Sequence, residues 1–271
     1  MSGPDFAIVG APKTGTTALF LWLSEHPNLY LPPEKELHFF DLHREWGTDW
    51  YLEQFAPAGE RLAGEATSTY LGHPTAIEEL VAVNPEIRLI AIVRDPVARA
   101  WSDYHYRVAR SRLSEPFASV ALRELAGMID GREQPDGLLH LSRYGRNLER
   151  ASLHVPGERI LVLRHRDLED DPAGVVARTY AFLGVDASFR PAGLGRRANE
   201  THHVRYPRLH RALMRTRVDR LLGERGRQRV AEWLAERGYE PIDPYLRETL
   251  TEIFESDQRL LERFLEPASV R

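Results

Sequence analysis

Eight consecutive residues, Gly10-Ala-Pro-Lys13-Thr14-Gly15-Thr16-Thr17, combine two glycines, a lysine and three hydroxyls. They follow an apolar run, Phe6–Gly10, that reads as a buried strand, and they open a helical stretch, Thr16–Glu25. Glycine lets the backbone turn tightly, and the helix start then presents unpaired N–H groups to an anion. The hydroxyls of Thr14, Thr16 and Thr17 add donors, and Lys13 adds a positive charge. A loop of this composition holds a phosphate or a sulfate. It departs from the loop of a magnesium-dependent nucleoside triphosphatase, G-x-x-x-x-G-K-[ST], and disfavours that reading. The glycine spacing and Thr17 fit that pattern, but Thr16 stands where the lysine belongs and Lys13 comes three residues early. Nor does a later strand end in an apolar-then-Asp magnesium pattern, since Ile90–Val93 runs into Arg94 before Asp95.

A second anion site is read in Arg94-Asp95-Pro96, which closes the clearest strand, Arg88–Val93. Pro96 suits a first helical position, where its missing N–H is no loss. Ser102 lies eight residues beyond Arg94, about two helical turns up. Ligands of a parallel α/β sheet gather at the carboxyl ends of its strands, so Arg94 emerges on the same edge as the first loop. Of the 36 basic residues 34 are Arg, and the only lysines are Lys13 and Lys35, which fall beside the best motifs. A compact ammonium and a planar guanidinium are not interchangeable.

The elements that must position these groups follow from pattern. Strands are expected at Phe6–Gly10, Arg61–Ala66, Arg88–Val93 and Arg159–Leu163. Helices are expected at Thr16–Glu25, Trp46–Phe55, His73–Val83, Val97–Arg112, Glu115–Asp130, Tyr144–His154, Pro172–Leu183, Arg227–Gly238 and Pro244–Phe264. Asn28–Phe40 reads as a Pro-rich loop, and strand signals fade beyond Gly184. Near-continuous apolar strands alternating with helices predict an α/β fold: a P-loop-like central parallel sheet flanked by helices, with a helical C-terminal part. No repeat or linker divides the chain, so residues 1–271 are expected to form one domain.

Composition narrows the classes. The absence of cysteine excludes a disulfide framework, a thiolate metal site and a Cys nucleophile, and it is compatible with a reducing compartment. A net charge of −4 argues against a nucleic-acid partner. No signal peptide is visible, the longest apolar run is too short for a bilayer, and a cytoplasmic protein is expected. His202-His203 has no acidic or Cys partner at ligand spacing, so no metal is expected.

Pro12-Lys-Thr-Gly-Thr-Thr17 and Arg94-Asp-Pro-x-x-Arg99-x-x-Ser102-x-Tyr104 resemble the two donor-binding elements of sulfotransferases that use 3′-phosphoadenosine-5′-phosphosulfate (PAPS). Lys35-Glu36-Leu37-His38-Phe39-Phe40-Asp41 resembles the K-E-x-H-F-F segment of bacterial and heparan-sulfate-type members, and Gly64-Glu65-Ala-Thr-Ser-Thr-Tyr70-Leu71 the segment that follows it. Ser142-x-Tyr144, Leu148-Glu-Arg150 and Leu161-Val-Leu-Arg164-x-x-Asp167-Leu168 extend the likeness, which runs over about residues 6 to 185. Ala66 stands where relatives commonly carry a lysine, and the basic loop that clamps the 3′-phosphate in relatives has only Arg196 and Arg197 as candidates.

The resemblance implies that Lys13, Thr14, Gly15, Thr16 and Thr17 cradle the 5′-phosphosulfate, that Arg94 and Ser102 take the 3′-phosphate, and that Lys13 neutralises charge on the bridging oxygen. It implies Glu36 as general base, with His38 either orienting the acceptor or serving as base instead. Glu65 and His105 are further candidates to line the acceptor site. The expected function is sulfuryl transfer from PAPS, without a metal, to a hydroxyl or, less favoured, an amine of a carbohydrate, lipid or secondary-metabolite acceptor. Two alternatives stay open: a P-loop small-molecule kinase, and a non-catalytic PAP- or nucleotide-binding protein. Acceptor identity and oligomeric state are not written in the residues.

Overall fold

A computed structural model describes residues 3–195 and 241–265, and the backbone of 202–204 and 235–237. Five strands form one parallel sheet: β1 (Phe6–Gly10), β2 (Leu29–Tyr30), β3 (Leu62–Glu65), β4 (Arg88–Val93) and β5 (Ile160–Arg164), in the order β2-β3-β1-β4-β5. Side chains of a strand alternate between faces, and here the alternation divides the core in two. Ala7 and Val9 of β1 join Leu89, Ala91 and Val93 of β4 in one apolar cluster. Phe6 and Ile8 join Ile90 and Ile92 in the other. Both faces are therefore covered, which is why these strands read as continuous apolar runs.

Helix α1 (Thr16–Ser24) and helix Pro172–Leu183 cover the Phe6/Ile8 face. Helices α2 (Thr48–Glu53) and α3 (Ala76–Val83) cover the other face, together with Tyr144–Ala151. α4 (Pro96–Ala109) starts with Pro96 at its first position, and the Asp95 side chain accepts a hydrogen bond from the Ala98 N–H at 2.6 Å. α4 packs with α5 (Phe117–Ile129) and helix Pro244–Leu265 in a third cluster around Val97, Phe117, Leu139 and Phe254. Among the described residues no helix is long and apolar enough to cross a membrane.

The chain runs from β1 out to β2 at the sheet edge, comes back to lay β3 beside β1, then crosses to lay β4 on the opposite side of β1. β1 and β4 thus flank the point where strand order reverses, the place where an open α/β sheet opens a crevice at its carboxyl edge. The loop after β1 and Arg94 after β4 border that crevice.

The expected elements recur with shifted ends, and three differences have physical causes. Leu29–Tyr30, expected within a loop, pairs with β3 through Leu29↔Leu62 and Tyr30↔Ala63, a strand too short to show a period. His165–Asp170, unassigned from pattern, is a short helix directly after β5. The helix expected over Arg227–Gly238 is corrected at 235–237, where backbone pairs antiparallel with 202–204. A three-residue pairing partner more than 30 positions away leaves no local pattern to read.

Candidate active site

The anion loop leaves β1 with its first amide already committed: Ala11 N–H donates to Ile92 O at 3.0 Å. Gly15, at φ 102°, is the residue before α1, a backbone conformation that disfavours any side chain. No side chain caps α1, so its first-turn N–H groups have no side-chain partner, the condition under which a helix start can receive an anion. Thr14 is fully buried and its hydroxyl donates inward to Ala11 O at 2.7 Å. Its hydroxyl is thus engaged by the loop's own backbone, and its carbonyl accepts from His165 Nδ1 at 2.9 Å. Thr16 is buried and Thr17 half-buried at the helix start.

Cations crowd this loop. Arg94 Nη1 donates to Lys13 O at 3.3 Å, so the two anion elements touch directly. Arg99, wholly buried, donates to Ser142 Oγ at 2.6 Å, to Asp103 at 3.2 Å, to Leu138 O and to Pro12 O at 3.4 Å. It is the clamp that fastens α4 to the loop. Ser102, one turn on, is also buried. Lys13 Nζ rests 4.5 Å from the centre of the Tyr106 ring, which Arg110 also approaches at 4.5 Å. Burial pushes the Lys13 ammonium below its ordinary range; Asp103 opposes this, and Arg110, Arg94 and Arg99 add to it. Cations short of negative partners are what a bound phosphate would satisfy.

The second half of the site is the turn from Lys35 to Asp41. Lys35 Nζ donates to Glu36 Oε1 at 2.6 Å and Ser68 Oγ donates to the same oxygen at 2.7 Å. His38 Nε2 stands 3.4 Å from Glu36 Oε2, while its Nδ1 is 3.0 Å from Asp41 Oδ2. Thr69 Oγ1 donates to Asp41 as well. Burial pushes the Glu36 carboxyl up, but hydrogen bonds from His38, Lys35 and Ser68 and the Lys35 charge outweigh it and hold Glu36 well below the usual carboxylate range. Burial likewise disfavours a charged His38, and the Asp41 and Glu36 carboxylates overcome it, raising the imidazole to about 9. At neutral pH the His38 imidazolium therefore stands between two carboxylates, Asp41 and Glu36.

Backbone geometry singles out the same residues. Four non-glycine residues among those described have positive φ: Lys13 (68°), Glu36 (66°), His38 (51°) and Ser111 (58°). Such conformations are uncommon outside glycine and gather where function holds them in place.

The structure thus joins Lys13 to Arg94, and Lys35 to Glu36 and His38. It places the other two candidates differently. Glu65 ends β3 with 1% exposure, and both its oxygens are taken, by Tyr51 and by Thr67 at 2.7 Å, so it presents nothing to an acceptor here. His105 packs edge-on against Trp101, ring centres 4.4 Å apart. Arg196 and Arg197 lie outside the described residues. Two participants went unassigned from the sequence. Asp41 belongs to the quoted motif, and its three-residue offset from His38 was the available signal. His165 follows β5 and donates from Nδ1 to Thr14 O at 2.9 Å; its position at a strand's carboxyl end was the clue.

Comparison with known proteins bears on this arrangement. The family model described as "Sulfotransferase domain" matches residues 3–216. Human heparan sulfate glucosamine 3-O-sulfotransferase 3B1 is 31% identical over 184 residues, 67% of this chain and 46% of that protein. The human bifunctional heparan sulfate N-deacetylase/N-sulfotransferase 3 is 30% identical over 67% of this chain and 22% of its own length. This chain spans about half the length, or less, of these curated relatives. A crystal structure of a sulfotransferase from Alicyclobacillus acidocaldarius superposes with a TM-score of 0.72 at 26% identity, covering 100% of this chain and 99% of that one.

Proposed function

Because this chain belongs to the sulfotransferase domain family, we propose that it transfers the sulfuryl group of PAPS to a hydroxyl of a carbohydrate or other small-molecule acceptor by in-line displacement. The observation that carries the proposal is the coincidence of strain with chemistry: Lys13, in the loop after β1, and Glu36 and His38, held by the segment after the neighbouring β3, all have positive φ. The anion loop from Lys13 to Thr17 receives the 5′-phosphosulfate, and its under-neutralised cations suit that charge. Arg94 and Ser102 take the 3′-phosphate, with Arg196 and Arg197 as further contacts. Lys13 leaves the Tyr106 face to neutralise charge that builds on the bridging oxygen as the S–O bond breaks.

Glu36 is the base. His38 is already an imidazolium at neutral pH and has no lone pair to take a proton, which favours the carboxylate over the ring. Held low by its neighbours, Glu36 is a weak base, which suits a proton that becomes acidic only as the acceptor oxygen bonds to sulfur. Lys35 and Ser68 grip Oε1, and Oε2 meets only His38 Nε2 at the longer distance of 3.4 Å, so Oε2 is the oxygen with a lone pair to offer the acceptor hydroxyl. No Lewis acid is called for by a leaving group this good; positioning and charge carry the step. Relatives named for 3-O-sulfation of heparan sulfate glucosamine support a sugar hydroxyl as acceptor, and an amine is the less favoured variant.

Incubation of the protein with sulfur-labelled PAPS and a panel of oligosaccharides, sterols and phenols tests the reading, with mass spectrometry of the labelled products. Transfer to a sugar hydroxyl is expected. Tight PAP binding with no transfer to any acceptor would favour a non-catalytic nucleotide-binding protein, and magnesium-dependent phosphorylation from ATP a kinase.

A further inference from the structure

We propose that Glu65 is a positioning residue for the transfer: through Thr67, its carboxylate fixes the backbone of the catalytic turn at His38. The inference rests on the sulfuryl-transfer reading above. It starts from how the turn is held. Five successive residues after β3 each grip it: Ala66 O accepts from Glu36 N–H at 3.0 Å, and Thr67 Oγ1 accepts from His38 N–H at 3.3 Å. Ser68 donates to Glu36, Thr69 donates to Asp41, and Tyr70 OH accepts from Phe40 N–H at 3.3 Å. The segment is a template on which the strained residues Glu36 and His38 are laid down.

Thr67 is the member whose bond needs a second partner. A hydroxyl oxygen that receives the His38 N–H must direct its own proton at an acceptor, and Glu65 Oε2 is that acceptor at 2.7 Å. The other carboxyl oxygen of Glu65 receives the Tyr51 hydroxyl from α2. Two donors converge on one group, so the ionised carboxylate is the form that satisfies the network. Among the described residues no cationic side chain is ion-paired with Glu65, and a buried carboxylate without one is a poor stabilising device. Its value lies in what it orients.

The groups that face it set when it is charged. Burial raises Glu65 to about 7; the Tyr51 and Thr67 hydroxyls and the His38 charge pull it down, and Asp41 pushes it up, while Tyr70 lies close enough for its own phenol to feel the Glu65 charge. Below about pH 7 Glu65 takes up a proton, one of its two oxygens turns from acceptor to donor, and the Tyr51 and Thr67 hydroxyls can no longer both donate to it, which loosens the partner of the His38 N–H. The turnover rate then falls on the acid side for a reason that lies behind the turn, not in Glu36.

Glu65→Gln, Thr67→Val and Thr67→Ser test this in the full chain. Glutamine has one acceptor oxygen and one NH2 donor, so Glu65→Gln, like the protonated acid, cannot accept from Tyr51 and Thr67 together. Its kcat at pH 8 should fall about ten- to a hundredfold, the scale of a small misplacement of reacting groups. Its rate should no longer rise between pH 6 and 8, and KM for PAPS should stay unchanged. Thr67→Val should give the same loss and Thr67→Ser should restore the rate, which decides the matter if Glu65→Gln folds poorly. The backbone amide resonance of His38 supplies a readout independent of turnover. It should titrate near pH 7 in the wild type and stay flat in Thr67→Val. Wild-type kcat and pH dependence in Thr67→Val, or a His38 amide indifferent to pH, would overturn the proposal. A wild type that moves its His38 amide as described but transfers no sulfuryl group would instead sink the functional reading beneath it.

Discussion

Removing the charge of Asp41 while keeping its shape should return His38 to an ordinary histidine. In the wild type His38 lies between Asp41 Oδ2 at 3.0 Å and Glu36 Oε2 at 3.4 Å, with 23% of its side chain exposed. Its rise from 6.5 to about 9 corresponds to about 3 kcal/mol at roughly 1.4 kcal/mol per unit. Burial works against that rise, and Asp41, with the shorter contact, is the stronger of the two carboxylates acting for it. Asp41→Asn should therefore bring the midpoint down by roughly two units, toward neutrality. The linkage sign follows. A group raised on folding stabilises fully below its unfolded value, and the benefit disappears as pH climbs through the folded one. His38 thus adds up to about 3 kcal/mol at pH 6 that is lost between about 6.5 and 9.5. Denaturant unfolding from pH 6 to 9.5, with the His38→Gln profile subtracted to remove other titrations, should show this decline in the wild type and little of it in Asp41→Asn. Imidazole NMR on labelled protein reads the midpoint directly. A wild-type midpoint near 6.5, or one that Asp41→Asn leaves in place, would refute the account of a charged relay.

Outcomes at four further residues follow from the site. Glu36→Gln should leave PAP affinity unchanged in calorimetry and lower kcat about 10²- to 10⁴-fold, the range of a lost general base; near-normal turnover would remove Glu36 from that role. Lys13→Ala should weaken PAPS binding and slow turnover together, and Lys13→Arg should rescue only in part, since a guanidinium cannot place its charge where the ammonium reaches; full rescue in steady-state kinetics would contradict this. Ser102→Ala should weaken PAP by about 1 kcal/mol and spare adenosine 5′-phosphosulfate, which lacks the 3′-phosphate. Arg94→Ala should weaken both, because Arg94 also holds the Lys13 carbonyl; equal sensitivity of both ligands to Ser102→Ala would move Ser102 to the 5′ end.

What the residues disclosed depended on distance along the chain. β1, β4 and β5 and the anion loop were legible because each is a continuous run with its punctuation beside it: Gly10 and Gly15 around the loop, Asp95-Pro96 before α4. The pairing of Arg94 with the loop was legible because parallel strands share an edge. Contacts set by packing were not. Nothing local closes Tyr51 over Glu65, 14 residues away. The short pairing of 202–204 with 235–237 fails for the same reason, since three residues carry no period. His165 was hidden because its partner is a backbone carbonyl 151 positions earlier, and carbonyls leave no signature in a sequence.

The one-sided fastening of the catalytic turn bears on how such a protein diverges. Ala66–Tyr70 hold its inner side through nearly every residue, while Leu42 and Trp46, just beyond Asp41, stand 62% and 46% exposed. Mutations on that outer rim alter what the turn meets without loosening what it does. In the proposed reaction, acceptor preference would then drift in small steps while the groups assigned to the transfer stay held.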